Sequence, residues 1–317
     1  MISVALCTYN GVEFIKDQLD SILNQTRPVD EIIVSDDGSS DGTLVILKEY
    51  AEKYSCLRYS VNAIRKGFKQ NFFDTMRQCK GDLVFLSDQD DRWHPNKVES
   101  VLKWFGAHPK MQLVFTNANI IDGESHITGE TLFEKVGFDS EKQKAFCFGF
   151  AMDILCLNNR ATGATMAVRR TFIYSFNEEQ YRNKTHHDYS LALDAADKEV
   201  VGFVAEPLMD YRLHENNTTG LEQPQHLFLS PYMPVWTQFD EESIWTKKNQ
   251  QRLAFSRKRL SFKHSWFGVK ACIYVFRYIR LYGKLWYMAF AYDWKESVLH
   301  SRNRLEAVIK RKMNRPV

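Results

Sequence analysis

Short apolar runs alternate with stretches of helical periodicity through the first 120 residues of the chain. In the helical stretches apolar residues recur every three or four positions, whereas each short apolar run is typical of a buried strand. Strands joined by helices form βαβ units, so the pattern predicts an α/β fold, a mainly parallel central sheet flanked by helices. We predict strands at 2–7, 31–35, 57–61, 83–86 and 113–117 and helices at 12–24, 43–53, 68–79 and 98–105.

Beyond residue 120 the alternation is less regular. Residues 122–160 have the pattern of a long insertion with a helical part. A strand at 161–169, a helix at 187–196 and a strand at 200–207 are predicted to follow it. We therefore predict a folded α/β body over 1–240 and a helical basic C-terminal extension over 241–317.

The charge of the chain is divided unevenly. Residues 246–317 contain 18 Lys and Arg against 3 Asp and Glu, whereas the first 245 residues contain 24 against 36. Basic residues recur every seven positions in the tail, at Lys263, Lys270, Arg277 and Lys284. A basic, aromatic-rich helix suits an anionic membrane surface, and the alternative is a helix that packs its aromatic side on the body. The acidic body repels phosphate backbones, so we predict no nucleic-acid partner.

The six cysteines, at 7, 56, 79, 147, 156 and 272, are scattered and form no C-x-x-C pair. This spacing predicts reduced thiols in a cytosolic protein. The sequence shows no signal-peptide pattern before the first predicted strand, and no run of about 18 uncharged apolar residues. We therefore expect a cytoplasmic protein, peripheral on the inner face of the membrane if its tail binds there.

Polar clusters follow three of the predicted strands at the point where each strand ends. "CTYNG" follows the first strand, "SDDGSSDGT" the second and "SDQDD" the fourth. In parallel sheets ligands bind at the carboxyl ends of the strands, so the three clusters predict one binding site.

The third cluster places Asp88, Asp90 and Asp91 within four positions. Like charges repel at this spacing, and a D-x-D pair is stabilised when both carboxylates share a divalent cation. The cluster therefore predicts an Mg²⁺ or Mn²⁺ site that bridges a ligand pyrophosphate. For Asp90 or Asp91, capping of the helix that begins near Pro95 is the alternative.

In the second cluster the glycines make a turn, and Ser40 or Asp41 is suited to cap the next helix. The turn leaves Asp36 and Asp37 unexplained at the strand end, where a carboxylate can accept the imide N–H of a pyrimidine base or a ribose hydroxyl. The chain contains neither a G-x-G-x-x-G fingerprint nor a G-x-x-x-x-G-K-S/T loop. Rossmann-type dinucleotide binding and P-loop NTPase chemistry are therefore excluded.

Six segments occur in the order and approximate spacing of a known family: "SVALCTYNGVEFIKDQLDSILNQT", "EIIVSDDGSSDGT", "FLSDQDDRWHPNK", "ATGATMAVRR", "HDYSLAL" and "EPLMDYRLHENN". Over about residues 1–220 the chain resembles the inverting family 2 glycosyltransferases, which have the GT-A fold. Its "GDLVFLSDQDDRW" version is similar to the subgroup labelled rhamnosyltransferase. The resemblance implies a catalytic domain at 1–240, with a nucleotide-sugar-binding half at 1–120 and an acceptor-binding half at 121–240.

The resemblance also implies roles for individual residues. The nucleotide-sugar-binding residues would be Thr8, Tyr9, Asn10, Asp36, Asp37 and Asp88. Asp90 and His214 would ligate the Mn²⁺ or Mg²⁺ ion, and Asp188 would be the general base. The acceptor-binding residues would be Trp93, Gly163 and His187. The alternatives are a core position for Trp93, a helix N-cap for Asp188 and an ordinary loop histidine for His214.

The implied reaction moves a sugar, with rhamnose as the expected one, from a dTDP- or UDP-sugar to a hydroxyl of a glycan or lipid-linked acceptor in cell-surface polysaccharide biosynthesis. It is a single in-line displacement in which a base deprotonates the acceptor and the metal stabilises the leaving diphosphate. The Q-x-x-R-W motif of processive synthases is absent, which predicts addition of one or a few sugars. The alternatives are a nucleotidyltransferase, which needs a Lys/Arg-rich phosphate loop that "CTYNGVEF" does not supply, and an inactive membrane-surface scaffold.

Overall fold

A nine-stranded sheet forms the centre of the protein, which a computed structural model describes over residues 1–181 and 186–214. The strands are β1 (Ile2–Thr8), β2 (Glu31–Asp36), β3 (Leu57–Val61), β4 (Leu83–Ser87), β5 (Arg92–Trp93), β6 (Leu113–Ile121), β7 (Ile127–Thr131), β8 (Met166–Arg169) and β9 (Val201–Arg212). The helices are α1 (Ile15–Leu23), α2 (Thr43–Lys53), α3 (Phe68–Gln78), α4 (Lys97–Ala107), α5 (Leu132–Lys135), α6 (Ser140–Ala145), α7 (Ala151–Leu157), α8 (Arg170–Ser175) and α9 (His187–Asp197). The strand order is β3-β2-β1-β4-β8-β6-β9-β5, and β7 pairs with β6.

Strands β1 to β4 form the parallel half of the sheet. β1 pairs with β2 on one side and with β4 on the other, and β2 pairs with β3, all in parallel. Every residue of β1, β2 and β4 is buried, as is typical of parallel strands whose two faces are both covered. The predicted α/β architecture is confirmed, and the carboxyl ends of these four strands lie at the same edge.

The other half of the sheet differs from the prediction. β8 runs antiparallel between β4 and β6, and it begins after a 3₁₀ turn at Gly163–Thr165 instead of at residue 161. β9 continues to Arg212, beyond the predicted end at 207. Pro207 has no N–H to donate, and the register between β6 and β9 shifts between Thr116 and Asn117, which accommodates the proline.

Residues 122–160 contain β7 and the helices α5, α6 and α7. A capping box of Thr131 and Glu134 begins α5, and the Asp139 side chain caps α6. Phenylalanine rings from this segment and from the sheet pack with centroids 4.9–6.2 Å apart: Phe115, Phe133, Phe138, Phe146 and Phe203. This aromatic core fixes the predicted insertion on the sheet.

The predicted helical extension at 241–317, with its basic stripe, lies outside the described residues. The division into a domain at 1–240 and an extension therefore stays a prediction. In the described part of the chain no helix is long and apolar enough to cross a membrane. The thiols described there as free are Cys7, Cys56, Cys79 and Cys147.

Asp210 joins the short strand β5 to β9. Its carboxylate bonds the Arg92 guanidinium (2.9 Å from Nε), the His94 ring (2.8 Å from Nε2) and the Asn119 amide (3.1 Å). Burial raises the pKa of Asp210, but these hydrogen bonds outweigh burial and lower the pKa to about 2. The ionised carboxylate therefore stabilises the fold at neutral pH.

Replacement of Asp210 by Asn is expected to lower the free energy of unfolding by about 2 kcal/mol at pH 7, because the folded-state pKa lies roughly two units below its usual value. The difference from wild type should be complete above about pH 5 and shrink as the pH falls from about 4 towards 2. Urea unfolding at several pH values measures it. Asp17→Asn, at an exposed carboxylate, is the control, and a difference that does not change with pH would contradict the prediction.

Candidate active site

Hydrogen bonds join the loop after β1 to the loop after β2. Asn10 donates its N–H to Ser39 Oγ (2.8 Å), and its Oδ1 accepts the N–H of Ser40 (2.9 Å). The Asn10 backbone is left-handed, with a φ of 49°, a conformation that Asn tolerates better than most residues. These hydrogen bonds hold the polar clusters after β1 and β2 together.

Thr8 and Asp36, both predicted to contact a nucleotide, are buried under these loops. Thr8 Oγ1 donates to Asp36 Oδ2 (2.7 Å), and Asp36 also accepts the N–H of Gly38 (3.0 Å) and both the N–H (2.7 Å) and hydroxyl (2.6 Å) of Ser39. Asp36 is 0% exposed, and each of its oxygens accepts two hydrogen bonds. These hydrogen bonds give both side chains a role in shaping the loop, and nucleotide contact by Thr8 and Asp36 stays a prediction.

Asp37 and Tyr9 lie against the segment 62–67, which follows β3. Asp37 accepts one side-chain and two backbone hydrogen bonds from this segment, at 2.8–3.0 Å. Tyr9 is 37% exposed, and the guanidinium carbon of Arg65 lies 3.8 Å from its ring centroid. Nucleotide contact by Tyr9, Asn10 and Asp37 stays a prediction.

Asp88 lies just beyond the end of β4, close to other carboxylates. Burial raises its pKa to about 8, and the negative charges of Asp90 and Asp188 add to the rise. Asp188 belongs to α9, so the fold brings a carboxylate from a distant part of the sequence to the acidic loop. A bound cation would stabilise this concentration of negative charge.

The two predicted metal ligands are neighbours in space. His214 Nε2 lies 2.8 Å from Asp90 Oδ2, and the two side chains are 15% and 16% exposed. In the described residues no group of three or more His, Cys, Asp or Glu side chains is arranged to hold a metal ion. Two protein ligands nevertheless fit a divalent ion that takes its other ligands from bound phosphate and water, as Mg²⁺ commonly does.

Arg212 holds together the acidic loop and the segment that carries His214. Its side chain is 1% exposed, its Nε donates to the Asp90 carbonyl (2.8 Å), and its Nη1 donates to the Asp122 carbonyl (3.2 Å). Its backbone N–H donates to Asp91 Oδ1 (3.1 Å). Asp91 is 1% exposed and therefore supports the loop from inside the protein.

Trp93 is part of the core. It is 3% exposed, its ring centroid lies 5.6 Å from that of Phe85, and the Lys97 ammonium lies 4.4 Å from it. Burial lowers the pKa of the fully buried Lys97 to about 7, against the opposing charges of Asp91 and Asp88. Trp93 therefore takes the core position named above as the alternative, and its contact with the acceptor stays a prediction.

Asp188 is the second residue of α9, and its carboxylate is held from several directions. Oδ2 accepts hydrogen bonds from Asn159 Nδ2 (3.1 Å) and from the N–H of Gly163 (3.1 Å), and Oδ1 accepts the N–H of Tyr189 (2.6 Å). His186 occupies the N-cap position, so the N-cap alternative for Asp188 is wrong. The bonds orient the carboxylate and leave acceptor capacity on Oδ1.

His187 and Gly163 pack beside Asp188, and their predicted contacts with the acceptor stay predictions. His187 is 6% exposed, its ring stacks on Phe72 with centroids 4.2 Å apart, and neither ring nitrogen has a hydrogen-bond partner among the described residues. Burial lowers the pKa of His187 to about 4, so the ring is neutral at pH 7. Gly163 is also buried, and its N–H is already bonded to Asp188.

Three residues that organise the site were not predicted. Lys97 and Arg212 lie inside "DRWHPNK" and "DYRLHENN", and their position within these motifs is the signal that marks them. Asn159 has no comparable signal, because its contact with Asp188 depends on the turn before β8.

A mainly parallel sheet with a carboxylate–imidazole pair and a further carboxylate near its carboxyl edge is the architecture of a GT-A sugar transferase. The sequence profile described as "Glycosyl transferase family 2" matches residues 3–190, more than half of the chain. The chain belongs to this family and is therefore a glycosyltransferase that uses nucleotide sugars. This assignment replaces the nucleotidyltransferase alternative.

Two relatives from bacteria are named as glycosyltransferases. The dTDP-rhamnosyl transferase RfbG of Shigella flexneri is 26% identical over 227 residues, which are 68% of this chain and 73% of the relative. An uncharacterized glycosyltransferase of Rickettsia typhi is 28% identical over 240 residues, which are 75% of this chain and 71% of the relative.

Solved structures share the fold. S. aureus TarS 1-349 in complex with UDP-GlcNAc matches with a TM-score of 0.51 and 18% identity, over 68% of this chain and 59% of that chain. The same protein in complex with UDP matches with a TM-score of 0.50 over 67% and 60%. The match thus spans about 60% of these solved chains, and it confirms the predicted GT-A fold.

Gly163→Ala is expected to displace the Asp188 carboxylate, because the added Cβ would lie 2.9 Å from His187 Nε2 and 3.2 Å from Asp188 Cβ. The free energy of unfolding should fall by about 1–3 kcal/mol. Glycosyl transfer should fall roughly 100-fold, since a misplacement of about 1 Å at a catalytic group has this effect.

Urea unfolding and the rate of sugar transfer measure the two effects of Gly163→Ala. Gly106→Ala in α4 is the matched control, because among the described residues nothing beyond its own helix backbone and chain neighbours lies within 4 Å of its added Cβ. It should be neutral or stabilising by about 0.5–1 kcal/mol. A Gly163→Ala variant as stable and active as wild type would contradict the close packing described above.

Proposed function

We propose that this enzyme transfers a sugar, with inversion at the anomeric carbon, from a dTDP- or UDP-sugar to a hydroxyl of a glycan or lipid-linked acceptor. Each acceptor gains one or a few sugars, in cell-surface polysaccharide biosynthesis. The proposal rests on the positions of three side chains that are distant in the sequence and near one another in the fold: Asp90, His214 and Asp188. Asp90 lies beside His214, and Asp188 is close enough to influence the same acidic loop.

The Asp90–His214 pair is the proposed site of a divalent ion, Mn²⁺ or Mg²⁺. The support is the short distance between the two side chains and the raised pKa of the neighbouring Asp88, which reflects burial and unrelieved negative charge. When bound, the ion would neutralise the charge that develops on the leaving diphosphate.

Asp188 is the proposed general base. Its Oδ1 takes the proton of the acceptor hydroxyl while the hydroxyl oxygen forms its bond to the anomeric carbon and the bond from that carbon to the diphosphate breaks. A single displacement of this kind inverts the configuration. The hydrogen bonds of Asn159 and Gly163 to Oδ2 hold the carboxylate in one orientation, and the proton then passes from Oδ1 to solvent.

Rhamnose is the proposed sugar. The support is the relative named dTDP-rhamnosyl transferase, which the chain matches over 73% of that relative's length. Tyr9, Asn10 and Asp37 are the proposed contacts of the base and ribose. They directly follow β1 and β2, β1 pairs with the strand that precedes the acidic loop, and Tyr9 is exposed.

A screen of nucleotide sugars for release of nucleotide diphosphate, with and without Mn²⁺, tests the proposal. Asp90→Ala is expected to lose metal-dependent donor binding, because it removes one of the two protein ligands. Asp188→Asn should keep donor binding and lose transfer by about 10²- to 10⁴-fold, because the base can no longer take a proton.

The control for these variants is His126→Gln, at a side chain that is 72% exposed and belongs to the turn between β6 and β7. It should match wild type in donor binding and transfer. Transfer by Asp188→Asn at a rate near that of wild type would show that Asp188 is not the base. Donor binding by wild type that is equal with Mn²⁺ and with a chelator would show that the metal site is wrong.

We also propose that residues 246–317 hold the enzyme on an anionic membrane surface. The support comes from the sequence, which gives these residues a formal balance of +15 and the first 245 residues a balance of −12. Each basic residue near such a surface contributes about 1 kcal/mol to binding.

Reversal of Lys270, Arg277 and Lys284 to Glu is expected to reduce sedimentation of the protein with phosphatidylserine vesicles, and wild-type binding should weaken as salt is raised. The matched control makes the same charge change at three exposed residues of the described body: Lys48, Lys80 and Lys103. A folded tail variant that sediments as well as wild type would leave the basic stripe as a solvated helix face.

A further inference from the structure

Gln89, between Asp88 and Asp90, bonds its side-chain amide to the loop after β1. Its Oε1 accepts the N–H of Tyr9 (2.8 Å), and its Nε2 donates to the carbonyl oxygen of Tyr9 (3.1 Å). The amide thus pairs with both backbone groups of one residue, as the backbone of an adjacent antiparallel strand would. Two hydrogen bonds of opposite direction fix the orientation of the amide as well as its position.

Gly11 packs against the same amide. An added Cβ at this position would lie 2.3 Å from Oε1 and 2.5 Å from Cδ of Gln89. Gly11 is not among the residues with a positive φ, so its backbone conformation does not require glycine. The requirement comes from the close approach of the Gln89 side chain.

The contacts of Gln89 continue in both directions across the candidate site. The Tyr9 ring lies under Arg65, whose Nε is 4.0 Å from Asp37 Oδ2 at the proposed base-binding end. In the other direction Asp90 contacts His214 at the proposed diphosphate end. Gln89 therefore links the loop that contains Tyr9 to the loop that contains Asp90, through its two hydrogen bonds.

We propose that Gln89 is a positioning residue that fixes the spacing between these two loops. The inference rests on the proposed function, because a nucleotide diphosphate spans both loops, with its base at one and its phosphates at the other. When the distance between the two loops is fixed before binding, no free energy is lost in ordering them. The base and the phosphates then bind as two linked fragments, and binding of one end favours binding of the other. Gln89 acts through Tyr9 and through the backbone of the acidic loop.

Calorimetry on the full chain tests this role of Gln89. It compares binding of the nucleotide diphosphate with binding of its separate parts, the nucleoside and Mn²⁺. In Gln89→Ala we expect the affinity for UDP or dTDP with Mn²⁺ to fall about tenfold. The affinity for Mn²⁺ alone, and for uridine or thymidine alone, should change less than about twofold, because each fragment uses one loop. In turnover the KM for the donor should rise about tenfold while kcat at saturating donor changes little. Gln89→Met keeps a similar side-chain volume without the hydrogen bonds and should behave like Gln89→Ala.

A double-mutant cycle of Gly11→Ala and Gln89→Ala tests the contact between Gly11 and the Gln89 amide. Gly11→Ala alone should weaken binding of the nucleotide diphosphate about as much as Gln89→Ala, because the new Cβ displaces the amide. In the Gln89→Ala background the same change should add less than about a twofold loss, because the colliding atoms are gone. Gly106→Ala, which has open space around its Cβ, is the control in both backgrounds.

Three results would overturn the inference while wild type still binds the nucleotide diphosphate. They are unchanged nucleotide-diphosphate affinity in Gln89→Ala, an equal loss of affinity for the free nucleoside, and additive losses in the cycle with Gly11→Ala. Failure of wild type to bind either UDP or dTDP is a different result, because it overturns the proposed function itself.

Discussion

The burial of Arg212 at the edge of the acidic loop is the interaction on which the rest of the site depends. A buried guanidinium is costly unless its donors find acceptors, and Nε and Nη1 of Arg212 donate to the backbone carbonyls of Asp90 and Asp122. Arg212 reaches this position because β9 continues past Pro207 to the edge of the sheet. The same path brings Asp210 to β5 and His214 to Asp90.

The parallel half of the fold was predictable because each of its strands and helices is indicated by the residue pattern within its own segment. In the first 120 residues β1 to β4 and β6 each appear as a short apolar run and α1 to α4 each show helical periodicity, whereas the two-residue strand β5 has no such signal. The position of β8 was not predictable in this way, because it pairs with β4 and β6, strands that are distant from it in the sequence. Pro207 similarly suggested the end of a strand, whereas a register shift lets the strand continue.

The candidate site was predictable in its chemistry and less so in its contacts. The motifs identified Asp90, His214 and Asp188, which the fold brings near one another. They did not show which way a side chain points. Asp36 and Trp93 belong to the same motifs, yet one is turned into its own loop and the other into the core. A polar or aromatic residue after a strand can face the ligand or support the loop, and only the tertiary contacts distinguish the two.

The four-residue strand β8 links the two halves of the sheet, through three residue pairs with β4 and three with β6. Proteins open locally where few hydrogen bonds and contacts have to be broken. β8 is instead buried and paired on both edges, so the amide hydrogens of Met166–Arg169 should exchange with solvent only when the sheet itself opens. The turn from Asn159 to Gly163 that holds Asp188 lies just before β8, so the support of the proposed base is anchored to a part of the sheet that should open only late.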